Sequence, residues 1–137
     1  MEKVKIGLIN NILKNEHDIL VAYLFGSESK DKANKYSDID IAILFDANAA
    51  KVDYTDKQIA IMTNLSEALN KEVDIIILNR ASLFLKYHIL KEGIKIYERP
   101  NRNEHNFEAI AIMQYLDFLP IKNRIENGIL SKIKEGP

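Results

Sequence analysis

The sequence predicts an α/β domain, a small mixed β-sheet flanked by helices and followed by a long C-terminal helix. Three observations carry this expectation. Apolar, partly β-branched runs at 19–25, 37–45 and 73–78 have the length and composition of buried strands. Before and between these runs, apolar residues recur at helical spacing instead. From residue 103 to about 133 the helical pattern is sustained longer than anywhere else in the chain.

Each element has its own signal. Val4, Leu8, Ile9, Ile12 and Leu13 line one face of a helix over residues 2–15. Ile19 to Phe25 is apolar at every position, so it is expected to be a central strand covered on both faces. A polar loop over 26–36 leads to a second strand from about Ser37 to Phe45. Thr55-Asp56-Lys57-Gln58 has capping-box spacing and is expected to open a helix bearing Ile61, Leu65, Ala68 and Leu69. Val73 to Leu78 is the third strand. Asn79 or Ser82 is expected to cap the next helix, which carries Leu83, Tyr87 and Leu90 and ends at Gly93. Ile94 to Tyr97 is a short last strand. In the terminal helical stretch Pro120 lacks a backbone donor, so a kink or break is expected near Leu119.

Composition narrows the class. The chain has 137 residues and reads as one domain over 1–137, with 103–133 as a helical extension. Hydrophobic residues make up 47%, enough for a core. With 19 basic and 20 acidic residues there is no basic stripe, so direct nucleic-acid binding is not expected. There is no cysteine, which removes disulfides and thiolate zinc sites. Met1 to Lys5 is charged and no apolar run approaches the ~20 residues of a membrane helix. A soluble cytoplasmic protein, with neither leader nor membrane span, is the expectation.

The chemistry is concentrated around the first loop. Residues two apart in a strand share a face, so Asp38 and Asp40 present two carboxylates together while Ile39, Ile41, Ile43 and Phe45 face a core. Paired acids repel and raise each other's pKa, and a cation between them relieves this. Hard oxygen ligands suit Mg²⁺. Gly26 lets the chain turn sharply, and the amides and hydroxyl after it, beginning with Ser27, can cradle phosphate oxygens. Asp74 opens the third strand, where an unpaired charge in an apolar run is costly. The helix between the second and third strands is the crossover expected of parallel neighbours. An antiparallel first strand then delivers Gly26-Ser27 to the same sheet edge as Asp38, Asp40 and Asp74. The bland reading of the acid pair is a strand cap beside Lys30, Lys32 or Lys35, and Asp74 could be a buried ion-pair partner.

Gly26-Ser27, ten residues, Asp38-x-Asp40 and the later Asp74 resemble the nucleotidyltransferase superfamily, whose larger members include DNA polymerase beta and kanamycin nucleotidyltransferase. The small size, the run Val73 to Arg80 and the tail Tyr115-Leu116-Asp117-Phe118-Leu119-Pro120 resemble the minimal nucleotidyltransferase (MNT) antitoxins encoded beside HEPN-domain toxins. The resemblance spans roughly Val21 to Arg124. It implies the nucleotidyltransferase fold and ATP as substrate, bound through Gly26, Ser27, Lys30 and Ser37. It implies two Mg²⁺ ions on Asp38, Asp40 and Asp74, with Asp74 as base. It also implies transfer of AMP to a tyrosine of a HEPN ribonuclease toxin, which neutralises it. After Gly-Ser most relatives carry a basic residue and then Gly; here the run is Glu28-Ser29-Lys30-Asp31, with Lys30 in the basic role.

Two other functions compete. One is an antitoxin that acts by covering its partner, with a vestigial acid site. The other is a small-molecule nucleotidyltransferase of the antibiotic-modifying kind. His17, His88 and His105 make no metal spacing, and Arg99 and Arg102 are read as surface. Apolar residues from Ile110 to Leu119 cover most of the terminal helix's circumference, more than one packing face requires. A partner chain or a twin subunit is expected to cover the surplus, with Tyr115 and Phe118 as aromatic anchors. A helix wedged within its own domain is the alternative.

Overall fold

Seven consecutive apolar residues give strand β1 (Ile19–Phe25) no solvent face, and it lies inside a four-stranded sheet. The structure, a computed structural model, describes residues 3–26, 38–46, 53–100 and 104–135, with side chains for 5–26, 38–46, 53–100 and 106–132. Helix α1 (Lys3–Leu13) precedes β1, and β2 (Ile39–Phe45) follows it. Then come α2 (Tyr54–Leu69), β3 (Val73–Ile77), a 3₁₀ turn (Leu78–Arg80), α3 (Leu83–Glu92), β4 (Ile94–Glu98) and α4 (Glu104–Glu135). The sheet order is β3-β2-β1-β4. β1 is antiparallel to both β2 and β4, whereas β2 and β3 are parallel. This is the mixed sheet expected from the sequence.

A bulge sorts β1 between two cores. Ile19 faces Phe45 but Val21 faces Leu44, so one residue of β1 is skipped and the alternation shifts. Ile19, Ala22 and Leu24 then join the core beneath α1 and α2, with Ile39, Ile41, Ile43 and Phe45 of β2, Val73, Ile75 and Ile77 of β3, and Ile61 and Leu65 of α2. Val21 and Tyr23 join Ala42, Leu44, Leu78 and Ile89 on the opposite face, under α3 and α4. The period-2 pattern of β2 thus has the two-sided outcome expected of it.

Both edge strands are bonded by a carboxamide from a neighbouring helix. Gln58 of α2 donates to the Ile75 carbonyl of β3 at 2.7 Å. Asn10 of α1 donates to the Ile96 carbonyl of β4 at 2.9 Å, where β4 slips register against β1. These bonds tie each edge strand to the helix packed beside it.

The helix termini correct one expectation and decide another. α2 opens at Tyr54 and not within the Thr55–Gln58 box; its cap is Asp53, whose Oδ1 accepts from the amides of Thr55 and Asp56. An Asp one residue before the first turn supplies the acceptor sooner than Thr55 could. Of the two candidates for α3, Ser82 is the cap, accepting from the Leu85 amide. Asn79 instead bonds both the amide and the carbonyl of Phe45 at 2.8 Å, stapling the end of β2 to the 3₁₀ turn. α4 runs as one helix through Pro120, so of the kink or break expected near Leu119 the break does not occur. Pro120 and Leu116 are both exposed, so water can satisfy the Leu116 carbonyl whose helical donor is missing. No described helix is long and apolar enough to cross a membrane.

Candidate active site

The antiparallel register sets Asp40 opposite Phe25, and the parallel register sets Asp74 beside Asp40. Gly26 follows Phe25, so the end of β1, the start of β2 and the start of β3 meet at one edge of the sheet. Asp40 shares its face with Ala42 and Leu44, and Asp74 with Ile76, which is the α3–α4 side. Asp38 is exposed just ahead of β2, Asp40 is half-buried, and Asp74 is exposed. The sequence placed Asp74 within an apolar strand as a costly buried charge. The structure corrects this: β3 is an edge strand, and its N-terminal end is left uncovered on that face.

Gly26 makes the closest approach. Its φ is +76°, in the left-handed region that side chains rarely adopt. A Cβ built there would lie 2.5 Å from Asp40 Oδ2. Glycine is therefore required both by the turn and by the space that the carboxylate occupies. Burial pushes the Asp40 carboxyl above its ordinary pKa, and the negative charges of Asp74 and then Asp38 push it the same way. Among the described residues no Lys or Arg is bridged to Asp38, Asp40 or Asp74.

These acids form an electronegative edge whose chemistry fits a divalent cation. The described residues hold no group of three acids or histidines already set at ligating distance. An open cleft lies between α2 and β3, lined by Thr63, Ser66, Glu67, Glu72 and Asp74 among others. Ser27, Lys30 and Ser37, expected at the nucleotide, lie outside the described residues, as do Glu28 and Asp31.

The family comparison settles the class. The family model for polymerase beta nucleotidyltransferases matches residues 8–102, from α1 to just past β4. The chain belongs to the polymerase beta nucleotidyltransferase family. A protein assigned as a protein adenylyltransferase in Methanocaldococcus jannaschii is 30% identical over 96 residues, 70% of this chain and 97% of the relative. The protein adenylyltransferase MntA of Aphanizomenon flos-aquae is 24% identical over 111 residues, 76% of this chain and 74% of the relative. A crystal structure of a toxin–antitoxin with AMP-PNP contains a chain of TM-score 0.73 and 25% identity, covering 95% of this chain and 99% of that one. The tri-AMPylated Shewanella oneidensis HEPN toxin in complex with MNT antitoxin gives a TM-score of 0.71 at 24% identity, with 95% and 99% covered. This nucleotidyltransferase is of the minimal kind: its family module ends at residue 102, and α4 begins two residues later.

Elsewhere the structure reassigns several residues. Arg99, expected at the surface, is half-buried and donates from Nε to the Ile19 carbonyl at 2.9 Å and from a terminal nitrogen to the Glu16 carbonyl at 2.5 Å. It clamps the end of β4 to the entry of β1. Tyr115, expected to face a partner, is only 6% exposed and stacks on Tyr87 of α3 with ring centroids 4.1 Å apart. Phe118 is 39% exposed, so the two aromatics do not form one surface anchor. His88 packs among Phe84, Tyr87 and Tyr115, as its helical setting implied.

One network was not anticipated. The phenol of buried Tyr23 donates to the carboxylate of Glu108, which also bridges Lys95 at 2.8 Å. It ties α4 to β1 and β4. A tyrosine inside a buried apolar strand signals that a buried hydroxyl needs a partner, but nothing in its own stretch names Glu108.

Proposed function

We propose that this nucleotidyltransferase is an antitoxin that transfers AMP from ATP to a tyrosine hydroxyl of a HEPN-type ribonuclease toxin and thereby neutralises it. The observation that carries the reading is the Asp40 carboxylate, held against the bare Cα of Gly26 with Asp74 alongside. The adenylyltransferase relatives and the toxin–antitoxin structure with AMP-PNP support the donor and the partner class.

The chain's own groups have distinct tasks. Gly26 permits the β1 turn to approach Asp40, so phosphate held by amides that follow it in the sequence would lie next to the acids. Asp38, Asp40 and Asp74 are the groups to hold Mg²⁺, which when bound neutralises the triphosphate and eases departure of pyrophosphate. Asp74, exposed at the sheet edge, is open to an incoming hydroxyl and takes its proton. The phenolic oxygen forms a new bond to the α-phosphorus as the bond to the pyrophosphate oxygen breaks.

The test is to co-express the chain with the product of its neighbouring gene and weigh that product by mass spectrometry. The expected result is a gain of one or more AMP units that disappears with Asp38→Ala plus Asp40→Ala. A second reading, neutralisation by binding alone, draws on the acidic Glu28 and Asp31 that accompany Lys30 in the phosphate loop. Neutralisation without mass gain, equally strong in the double variant, would select it.

A further inference from the structure

We infer that α4 is two conformational units joined at Pro120. The proximal half is locked to the domain. The distal arm, residues 121–135, exchanges between helix and coil while the domain stays folded, whichever antitoxin reading holds.

The proximal half is anchored once in every turn. Glu108 accepts from Tyr23 and bridges Lys95 at 2.8 Å. Ala111 is buried, and Tyr115 stacks on Tyr87. At spacings of three and four this stripe continues through half-buried Leu119 to Lys122, whose ammonium lies 6.0 Å from the Phe84 ring centroid. One turn further the same stripe presents exposed Glu126. Every described residue from Asn123 to Lys132 is exposed. Packing of an apolar face supplies most of a helix's stability in a protein, and the described part of the arm beyond Lys122 buries none.

The arm's own sequence does not make up the difference. An isolated helix shorter than ~12–15 residues is marginal in water even when rich in alanine. The arm contains no alanine. Gly128 is the weakest helix former short of proline, and Asn123 and Asn127 rank low. A Cβ at Gly128 would meet nothing within 4 Å, so no close packing calls for the glycine. Ile121, Ile125, Ile129 and Ile133 are β-branched and lose side-chain freedom in a helix. The Lys122–Glu126 pair at 3.4 Å places lysine N-terminal to glutamate, the weaker order for helix support.

Pro120 sets the boundary between the two units. It withholds the bond to the Leu116 carbonyl, so the helical ladder is interrupted where the anchored half ends. Proline suits the first turn of a helix, and here it stands as that first turn for the arm. The arm must therefore be nucleated largely by itself, which is the costly step of helix formation. Its opening uncovers no buried side chain among the described residues beyond Lys122, whereas opening the proximal half would uncover Ala111 and Tyr115. The arm thus opens at far lower cost than the domain, as a separate cooperative unit. The Gly26–Asp40 contact, on the sheet, is insulated from that motion.

The test is amide hydrogen exchange on the intact chain alone, followed residue by residue by NMR, for wild type, Gly128→Ala and Pro120→Ala. In wild type the amides around Ala111 and Tyr115 are expected to be protected as strongly as those of α3. Amides beyond Lys122 are expected to exchange within about tenfold of an unstructured chain. Gly128→Ala is expected to slow exchange in the arm about threefold, alanine being the better helix former. Exchange in the proximal half and the melting temperature are expected to stay as in wild type. Pro120→Ala, which restores the bond to Leu116, is expected to carry protection outward past residue 120. Arm amides protected like the proximal ones in dilute wild type would overturn the inference. Exchange equally fast along all of α4 would overturn the division at Pro120, as would a Gly128→Ala effect spread over the proximal half. Both variants replace exposed or uncontacted positions, and thermal melts verify that each is folded.

Discussion

At the scale of single residues, the site turns on the pair Gly26 and Asp40. A methyl group at Gly26 meets Asp40 Oδ2 at 2.5 Å and must also accept φ +76°. Gly26→Ala is therefore expected to lower stability by about 1 kcal/mol or more and to displace the carboxylate, reducing transfer far more than stability. Thermal melts and turnover on one preparation check both; normal turnover would show that the carboxylate has other room. Asp40 itself gives a pH signature. Its carboxyl is raised first by burial, then by Asp74 and Asp38, so the folded chain without metal binds that proton more tightly than the unfolded chain does. The stability this lends is fully present below the ordinary carboxylate pKa and is lost as pH rises through the raised value. Asp40→Asn is expected to melt higher than wild type near pH 7 in chelator and to converge with it in acid. A variant that melts lower at pH 7 would show that an unrecognised cationic partner stabilises the ionised carboxylate. The acid set and Gly26 were legible in the sequence because strand period and strand order are enough to bring them together. The exposure of Asp74 was not, since whether a strand is edge or centre depends on which helices cover it.

At the scale of elements, what a stretch shows about itself was readable and what depends on a distant partner was not. The alternation in β2 and the unbroken apolar run of β1 are local, and both strands appear where their patterns lie. The α2 boundary went astray because two capping signals overlap, and Asp53 simply comes first. Arg99 and Asn79 are invisible as structural residues because their partners are backbone groups far along the chain. Tyr115 is the instructive case. Its helix has apolar residues around most of its circumference, so periodicity alone does not say which side α3 takes. The structure assigns Ala111 and Tyr115 inward, with Phe118 partly outward. Tyr115→Ala is accordingly expected to cost about 3 kcal/mol, as loss of a buried aromatic does, whereas Phe118→Ala is expected to stay within ~0.5 kcal/mol in the isolated chain. Denaturant melts of both variants check this; equal losses would mean that Phe118 is core as well.

At the scale of the whole molecule, the chain is a sheet with the candidate site at one edge, plus a helix that reaches beyond it. The edge concentrates negative charge: Asp38, Asp40 and Asp74 converge, with Glu72 just before β3. A triphosphate alone would be repelled there, and Mg²⁺ alone would lack the phosphate oxygens that complete its coordination. Each ligand removes the other's obstacle, so their effects on stability are expected to exceed additivity. A ligand that binds only the folded state stabilises it by RT ln(1 + [L]/Kd), about 2.7 kcal/mol at 100-fold saturation. For a domain of this size that is a rise of roughly 5–10 °C in Tm. Thermal scans with Mg²⁺ alone, ATP alone and both together provide the measurement, with Asp38→Ala plus Asp40→Ala as the control. The wild type is expected to respond chiefly to the combination, and the double variant to lose that response while melting no lower than wild type without ligand, because it is relieved of its own repulsion. A chain that shows no ATP-dependent shift at millimolar Mg²⁺, yet still binds its partner, would be an antitoxin that works by contact alone, its acids a remnant of the family's chemistry.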